Sequence, residues 1–443
     1  MKTNSKKTKK GKSVIEKQFS RIPIKKLAKQ SGFCKRKARK IKPKDLIIAF
    51  IQTIASKRST YSNWANQIGI LINGTVSKQA VSKRMREPLI LFLKSVLKKM
   101  MEDSLRSRLK GKACEKLRQF NRILIEDSTS IKLNNKLSKA YPGNKNGNAT
   151  DYAILKIQST YDILKKRFIR LDITNFRKND QGYSANIFQI AKAGDLIIRD
   201  LGYFVLGVFK RLSQEGIYFV SRLHKRVNIY ITEEKPIDLA SMLKKRGVLD
   251  IEVFLGEDKL PTRLVAIPVE EGIAEKRRRN ARNNRDRRLN PSKEHLYLLG
   301  WNIFITNVGK EKLDINDIVR VYSIRWRIEI IFKTWKSSMG IAKTEHEVNK
   351  IKLEAFIYCM LIFILLFQVH LYEYCINNQR SKSISLMKLM HFIMTNLTFV
   401  IYVNCLNSFA GKNKLLNKQI RYYCTYENRS DKVNYDQLIG ILS

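Results

Sequence analysis

Histidine and paired cysteine are scarce in this sequence, and their scarcity excludes several kinds of site. The chain has five histidines in 443 residues, and they show no zinc-ligand spacing. Its six cysteines contain no CxxC pair, which argues against a structural zinc and against a disulfide framework. Neither a zinc hydrolase nor a Ser-His-Asp hydrolase can be nominated from these spacings. Any chemistry therefore has to be carried by carboxylates.

Long apolar segments are also missing. The longest runs from Ala355 to Phe367, with Gln368 and His370 close behind it, and it is shorter than the roughly 20 residues that a bilayer core requires. It predicts a buried helix. The opening MKTNSKKTKKGK is followed by no apolar stretch, so it does not resemble a secretory signal. We expect a cytoplasmic protein without a membrane partner.

Acidic residues are few beside the basic ones. The chain has 38 Asp and Glu against 86 Lys and Arg, a formal net charge of +48 and a pI near 10.1. Such an excess calls for a polyanion, and nucleic acid is favoured because each cation set against a phosphate releases a condensed counterion. An anionic membrane is the weaker alternative. The hydrophobic fraction of 44% predicts a folded chain, and its length predicts two or more structural units.

The N-terminal quarter is basic and helical. Residues 1–13 predict a flexible basic arm, because lysine-rich sequence buries too little apolar surface to become ordered. Residues 14–117 predict a helical DNA-binding domain, with Leu46, Phe50 and Ile54 at helical spacing. Within it, residues 75–85 resemble a recognition helix.

In that segment, a possible Ser77 cap precedes Lys78, Lys83 and Arg84, which surround Val81. We expect these three cations to contact DNA. A basic solvated helix face without base contacts remains open, because helix-turn-helix patterns are degenerate in single sequences.

The pattern changes to β-rich at residue 118. Between residues 118 and 223, apolar runs predict strands, and two of them end in carboxylates, at Asp127 and Asp200. Residues 224–300 predict an inserted β-rich subdomain that closes with an arginine-rich segment. A run of charged residues usually forms a solvated face of the protein. Here the run is almost entirely basic, and phosphate contact by Arg277, Arg278 and Arg279 is favoured. Residues 301–376 and 377–443 are predicted to be mainly helical.

Three acids suit metal-dependent phosphodiester chemistry. That chemistry needs an activated oxygen nucleophile and stabilisation of charge on the leaving oxygen, and two Mg²⁺ ions supply both. Mg²⁺ prefers carboxylate oxygens, so acids at two strand ends and one on a helix are appropriate ligands. Asp127, Asp200 and Glu329 fit this description. Alone, an acid at a strand end is often only a turn former or a partner for a surface lysine.

The stretch VYSIRWRIEIIFKTWKSSMG at 321–340 decides the interpretation. Tyr322, Arg325, Glu329 and Lys336 stand at spacings of three, four and seven, which on one helix places all four on one face. Glu329 could then reach metal while Arg325 and Lys336 meet phosphates. The alternative is an amphipathic helix with an internal ion pair.

These four residues resemble the Tyr-Arg-Glu-Lys signature of insertion-sequence DDE transposases of the IS-four family, at the same spacing. IEDST around Asp127 is similar to the family's first-aspartate strand, and DLGYF at Asp200 to its second-aspartate motif. The resemblance covers roughly residues 116–376. It implies an α/β fold in which an RNase H-like catalytic core, residues 118–223 and 301–376, carries an inserted β-rich subdomain. Helical N-terminal and C-terminal regions flank the core, and the latter is often used in dimerisation.

The resemblance also implies roles for individual residues. Asp127, Asp200 and Glu329 would be the catalytic acids and bind two Mg²⁺ ions, for which Mn²⁺ can substitute, while Tyr322, Arg325 and Lys336 would hold DNA phosphates. Trp301 would stack on a flipped base, although a large aromatic beside a strand is more often core. Arg222 would lie near the active site, although a strand-end arginine can pair with any acid.

The implied activity is cleavage at transposon ends and strand transfer into target DNA, by cut-and-paste and through a hairpin where one is used. Its partners would be terminal inverted repeats, target DNA and a second copy of the chain, at the nucleoid of a prokaryote. Two alternatives stay open: a catalytically inactive, transposase-derived DNA-binding protein, and an RNase H-like nuclease.

Overall fold

A computed structural model describes most of the chain between residues 21 and 425. The described ranges are residues 21–36, 40–55, 60–105, 115–145, 151–232, 235–283, 290–367, 384–397 and 418–425. The predicted basic arm, residues 1–13, lies outside the described residues, as does most of region 377–443.

The N-terminal region is helical, as predicted from its apolar spacing. Its helices are α1 (Ile24–Gln30), α2 (Pro43–Ala55), α3 (Tyr61–Ile72), α4 (Lys78–Ser82), α5 (Glu87–Leu105) and α6 (Glu115–Arg118). Leu46, Phe50 and Ile54 of α2 are buried on one face. The Ser77 hydroxyl accepts from the backbone N–H of Ala80 and caps α4, while Val81 is fully buried. These helices share one hydrophobic core with the central sheet.

The described strands form one ten-stranded mixed sheet, which makes the protein α/β. The strands are β1 (Ile123–Leu133), β2 (Pro142–Lys145), β3 (Asp151–Asp162), β4 (Arg167–Asn175), β5 (Leu196–Arg199), β6 (Tyr218–Arg222), β7 (Ile229–Tyr230), β8 (Leu249–Leu255), β9 (Leu260–Pro268) and β10 (Trp301–Thr306). They lie in the order β2-β3-β1-β5-β6-β10-β9-β8-β7, and β4 also pairs with β3. Strand β5 is parallel to β1 and to β6, and the other pairs are antiparallel.

Strands β7, β8 and β9, from region 224–300, extend the same sheet. After β6 the chain forms β7, β8 and β9. Strand β10 follows them in the sequence but lies between β6 and β9 in the sheet. Phe304 of β10 is opposite Arg222 of β6 on one side and opposite Val265 of β9 on the other. Helices accompany these strands and the β4–β5 and β5–β6 connections. They are α7 (Asp180–Tyr183), α8 (Leu206–Gln214), α9 (Leu239–Arg246), α10 (Glu271–Arg282) and α11 (Lys293–Leu298).

The segment after β10 is helical, but it is not one helix across the signature. Helix α12 (Ile315–Ser323) ends before Ile324, and α13 (Trp326–Ser338) begins after Arg325, which is its N-cap residue. The single helix expected from the spacing of three, four and seven was therefore wrong at this point. The signature residues still meet, because the turn directs the Arg325 side chain toward the strands that carry the aspartates.

The apolar run from Ala355 to Phe367 is a buried helix, as predicted. It falls in α14 (Lys350–Leu366), which packs against α5 and α2 of the N-terminal region and against β4. Its side chains are buried on all sides, so it supplies core rather than chemistry. A further helix, α15 (Leu386–Thr395), packs against α13. In the ranges that the structure describes, no helix combines the length and apolarity needed to cross a membrane.

Candidate active site

Asp127 and Asp200 lie where two neighbouring parallel strands stop pairing. The β1–β5 register ends with Glu126 opposite Arg199, and an aspartate follows each of these residues in the chain. Asp200 follows the last residue of β5, as expected. Asp127 does not end its strand, because β1 continues to Leu133 through its pairing with β3 on the other side. The expectation of two strand-end carboxylates was thus right for Asp200 and wrong for Asp127.

A buried ion pair lies directly behind the two aspartates. Arg199 Nη2 is 2.6 Å from Glu126 Oε2, and both side chains are almost completely buried. Arg199 also donates to the hydroxyl and the carbonyl oxygen of Ser184, at 2.7 and 2.8 Å. Burial raises the pKa of Glu126, and Arg199 opposes that rise. The pair ties β1 to β5 at the level of the site.

The third acid meets the first two around one guanidinium. Arg325 Nη1 is 2.8 Å from Glu329 Oε1 and 3.6 Å from Asp127 Oδ2, and its Nε is 3.8 Å from Asp200 Oδ1. The Arg325 side chain is 11% exposed, so water screens these interactions only partly. Carboxylates from β1, from the end of β5 and from α13 therefore converge on a single positive charge.

The carboxylates also influence one another. Burial raises the pKa of Asp127 to about 7, and the nearby charges of Asp200 and Glu329 contribute to the rise. The backbone N–H of Ser128, which donates to Asp127 Oδ1 at 2.8 Å, and the Arg325 charge both oppose it. A raised pKa from burial and like charges is common where carboxylates are gathered for function.

Tyr322 and Arg222 complete the wall of the site. The Tyr322 hydroxyl donates to Asp200 Oδ1 at a long 3.4 Å, and burial raises the pKa of this tyrosine to about 12. Its ring contacts Phe304 and lies 5.5 Å from the Arg325 guanidinium carbon and 5.6 Å from that of Arg222. The Nε atoms of Arg222 and Arg325 are buried without a hydrogen-bond partner in the described part of the chain.

Lys336 and Trp301 lie on two elements that also carry residues of this site, α13 and β10. Lys336 is exposed on α13, seven residues beyond Glu329. Trp301 begins β10 and is half-buried, with its ring centroid 6.2 Å from that of Tyr297. The base-stacking role of this tryptophan stays a prediction.

The three arginines of α10 differ in their surroundings. Arg277 donates to the carbonyl oxygens of Leu299 and Trp301 and to Asn302 Oδ1, and burial and the charge of Arg222 lower its pKa. Arg278 pairs with Glu271 and donates to the carbonyl oxygen of Leu296. Arg279 is exposed. Two of these cations therefore make protein contacts. Phosphate contact by the three arginines stays a prediction.

The cations of the predicted recognition helix lie in the N-terminal region, outside the acidic cluster. Lys78 begins α4, which spans only five residues, and Lys83 follows its last residue. Arg84 donates through Nη1 to the carbonyl oxygen of Ala80 at 2.6 Å. The structure thus gathers Asp127, Asp200, Glu329, Tyr322, Arg325 and Arg222, and leaves the other predicted residues at its edges or elsewhere.

The three carboxylates are suitable ligands for a divalent metal, although their oxygen atoms do not form a complete coordination site. Within the described ranges, no three Asp, Glu, His or Cys side chains are close enough together to hold an ion as they stand. The reason is visible in the contacts, since the Arg325 guanidinium lies among the three acids. All three offer carboxylate oxygens, which are the ligands that Mg²⁺ prefers, and they already surround a cation.

Glu126 and Arg199 are the site residues that sequence reasoning missed. Their signal was present in IED and IRD, where an ionisable residue stands one position before each aspartate, at the end of an apolar run. A charged residue there cannot face solvent if the strand is central, so it needs a buried partner.

A mixed α/β sheet with clustered carboxylates, in a strongly basic chain, suits an enzyme that acts on a polyanion such as DNA. Comparison with known proteins gives the family. Residues 118–364 match the family model described as the transposase DDE domain. The chain therefore belongs to the DDE transposases of insertion sequences, and it is a DNA transposase, as its sequence predicted. The family generally uses divalent metal.

The relatives support this assignment over most of the chain. The transposase of insertion sequence IS231E from Bacillus thuringiensis subsp. finitimus is 30% identical over 372 residues, which are 77% of this chain and 75% of the relative. That of IS1151 from Clostridium perfringens is 30% identical and covers 80% of this chain and 78% of its own. The solved piggyBac transposase synaptic complex with hairpin DNA covers 95% of this chain and 85% of its own, at 11% identity and a TM-score of 0.43.

Proposed function

We propose that Asp127, Asp200 and Glu329 are the catalytic acids of this transposase and hold two Mg²⁺ ions, or Mn²⁺ in their place, on an RNase H-like core. The observation that carries the proposal is the convergence of all three carboxylates on Arg325, at 2.8 to 3.8 Å. Bringing three carboxylates together costs electrostatic free energy, because like charges repel. When bound, the ions would activate the attacking oxygen and offset charge on the leaving oxygen.

The proposed reaction is hydrolysis of one strand at the transposon end, followed by transfer of the freed 3′-hydroxyl. That hydroxyl attacks either the opposite strand, which forms a hairpin, or the target DNA in a cut-and-paste reaction. Strand transfer exchanges one phosphodiester for another, so the chain's main task is to align the reacting groups.

The polar side chains beside the acids would align the reacting DNA groups. Tyr322, Arg325 and Lys336 would hold DNA phosphates beside the acids, and Arg222 would join them. The unpartnered Nε atoms of Arg222 and Arg325 support this, because buried donors usually have acceptors and a phosphate oxygen would supply them.

Outside this centre, the protein would hold the rest of its substrate. Lys78, Lys83 and Arg84 would contact the terminal inverted repeats, and Arg279, with Arg277 and Arg278 behind it, the flanking backbone. Trp301 would stack on a flipped base where a hairpin forms. Two copies of the chain would pair two transposon ends at the nucleoid of a bacterial host.

Nicking of an end-containing duplex tests the acids. The inverted repeats can be identified in the DNA that flanks the coding region. Asp127→Asn, Asp200→Asn and Glu329→Gln should each retain end binding and lose Mg²⁺-dependent nicking. Asp258→Asn, an exposed acid between β8 and β9, is the matched control and should nick like the parent. Unchanged nicking by purified Asp127→Asn or Glu329→Gln would refute the assignment.

Strand transfer needs its own assay. Pre-cut ends incubated with plasmid should yield joined products that require the same three acids. Ends that are cleaved but never joined would favour a nuclease with this site, and ends that are bound but never cleaved would favour a binding protein that has lost transposition.

A further inference from the structure

A cavity of about 420 Å³ lies in the N-terminal region, between the segment that leads into α2 and the turn after α4. Its apolar lining is Phe33, Ile41, Pro43 and Leu46, of which the last three are buried. The Phe33 ring stacks on Phe92 of α5 with centroids 5.3 Å apart, so helix packing fixes this side of the cavity. The remaining lining is Cys34 and a set of basic side chains.

Basic side chains make the cavity strongly positively charged. They are Arg36, Lys40, Lys42, Lys83, Arg84 and Arg86. No carboxylate lines the cavity, and in the described residues none of these six forms an ion pair with an acid. All except Arg84 are exposed, so their charged ends reach solvent at the rim. Six like charges around one concavity repel each other, and an anion placed among them removes that repulsion.

We propose that this cavity binds a phosphodiester group of duplex DNA and thereby sets the position of α4 on the double helix. Lys83 and Arg84 directly follow α4, so a phosphate held here fixes that helix relative to the DNA backbone. Contacts to phosphates position a protein on DNA, whereas contacts to bases specify the sequence. The inference rests on the proposed function only in taking transposon-end DNA as the ligand, and it assigns Arg36, Lys40, Lys42 and Arg86 to phosphate binding.

Binding of full-length protein to a labelled end duplex, without divalent cation, is the first test. Arg36→Ala/Lys42→Ala should weaken binding to matched and scrambled duplexes by the same factor. The slope of log Kd against log salt should fall by about one for each phosphate that the variant no longer binds. Arg36→Lys/Lys42→Arg should restore both quantities. Selective weakening on the matched duplex would overturn the proposal, because it would indicate base contact.

Lys94→Ala/Lys98→Ala supplies the matched control. Both lysines are exposed on α5 and do not line the cavity, and the variant removes the same charge. It should retain more affinity than the cavity variant. An equal decrease would mean that overall charge, and not this cavity, determines binding. Thermal unfolding of both variants should match the parent, since the replaced side chains are exposed.

Cys34 provides a second, local readout, because it is half-buried in the cavity wall. Its alkylation by iodoacetamide, followed by mass spectrometry of its peptide at one fixed pH, should slow several-fold with saturating duplex. Inorganic phosphate should protect far less. Equal protection by phosphate would indicate a small-anion site, and unchanged alkylation in the DNA complex would place the duplex elsewhere. These tests need no cleavage. A parent protein that binds the ends but never nicks them would therefore count against the catalytic assignment and leave the results of these tests unaffected.

Discussion

Glu126 and Arg199 form a buried ion pair across β1 and β5, and each stands one residue before an aspartate of the proposed site. Because the two residues are opposite one another in the parallel register, Asp127 and Asp200 leave the paired region at the same level. A shift of one strand by one residue would turn its aspartate to the other face of the sheet. The pair therefore joins the two strands in the register that brings both aspartates to the same level.

Replacing one partner of this pair should lower the free energy of unfolding much more than replacing both partners. Glu126→Gln leaves a buried guanidinium without its counterion, and we expect a loss of about 3 to 5 kcal/mol in the free energy of unfolding. The double variant Glu126→Leu/Arg199→Met should recover much of that loss. Urea denaturation of the parent, Glu126→Leu, Arg199→Met and the double variant measures the coupling. Additive effects would show that the two side chains do not depend on each other.

Asp127→Asn should stabilise the protein at high pH. Folding raises the pKa of Asp127 from 3.8 to about 7, so the folded state binds this proton more tightly than the unfolded state. The folded state therefore loses stability as pH rises between these values, and asparagine removes that loss. Without divalent cation, the melting temperature of the variant should exceed that of the parent above about pH 7, and the difference should shrink toward pH 3.8. A difference that does not vary with pH would contradict the raised pKa.

Tyr322→Phe should separate packing from catalysis. The ring contacts with Phe304, Arg222 and Arg325 survive in phenylalanine, so the free energy of unfolding should change by less than about 1 kcal/mol. If the hydroxyl holds a DNA phosphate, nicking should slow about ten- to a hundredfold. Tyr422→Phe, at a tyrosine that is 79% exposed, is the control. Parent-like nicking by Tyr322→Phe would remove this residue from the proposed DNA contacts.

Arg277 and Arg279 should behave differently although they lie two residues apart on α10. Arg277→Ala removes the donor to Leu299, Trp301 and Asn302 and should lower the free energy of unfolding by about 1 to 2 kcal/mol. Arg279→Ala should leave stability within about 0.5 kcal/mol and weaken DNA binding, with a salt slope lower by about one. Thermal unfolding and binding across a salt series measure both. Equal behaviour of the two variants would refute this division.

The sequence predicted those parts of the site that depend on local pattern. The spacing of Tyr322, Arg325 and Glu329 and the acids at Asp127 and Asp200 named side chains that the fold brings together. The buried helix at 355–367 and the Ser77 cap were likewise local signals. What these features share is that neighbours in the chain determine them.

The errors came from non-local partners. Asp127 looked like the end of a strand because the apolar run stops there, but β3 continues to pair with β1 for another six residues. The break between α12 and α13 could not be predicted from spacing, since a turn of Ile324 and Arg325 preserves the hydrophobic pattern on both sides. Glu126 was not recognised as a buried side chain because its partner, Arg199, lies 73 positions further along the chain.

The position of β10 has a consequence for any attempt to shorten the protein. Because β10 pairs with β6 on one side and with β9 on the other, a deletion between residues 224 and 300 would leave a row of unsatisfied backbone N–H and C=O groups along β10. An open edge of this kind readily recruits a strand from another molecule. A minimal catalytic fragment made by such a deletion would therefore tend to self-associate before it could be assayed.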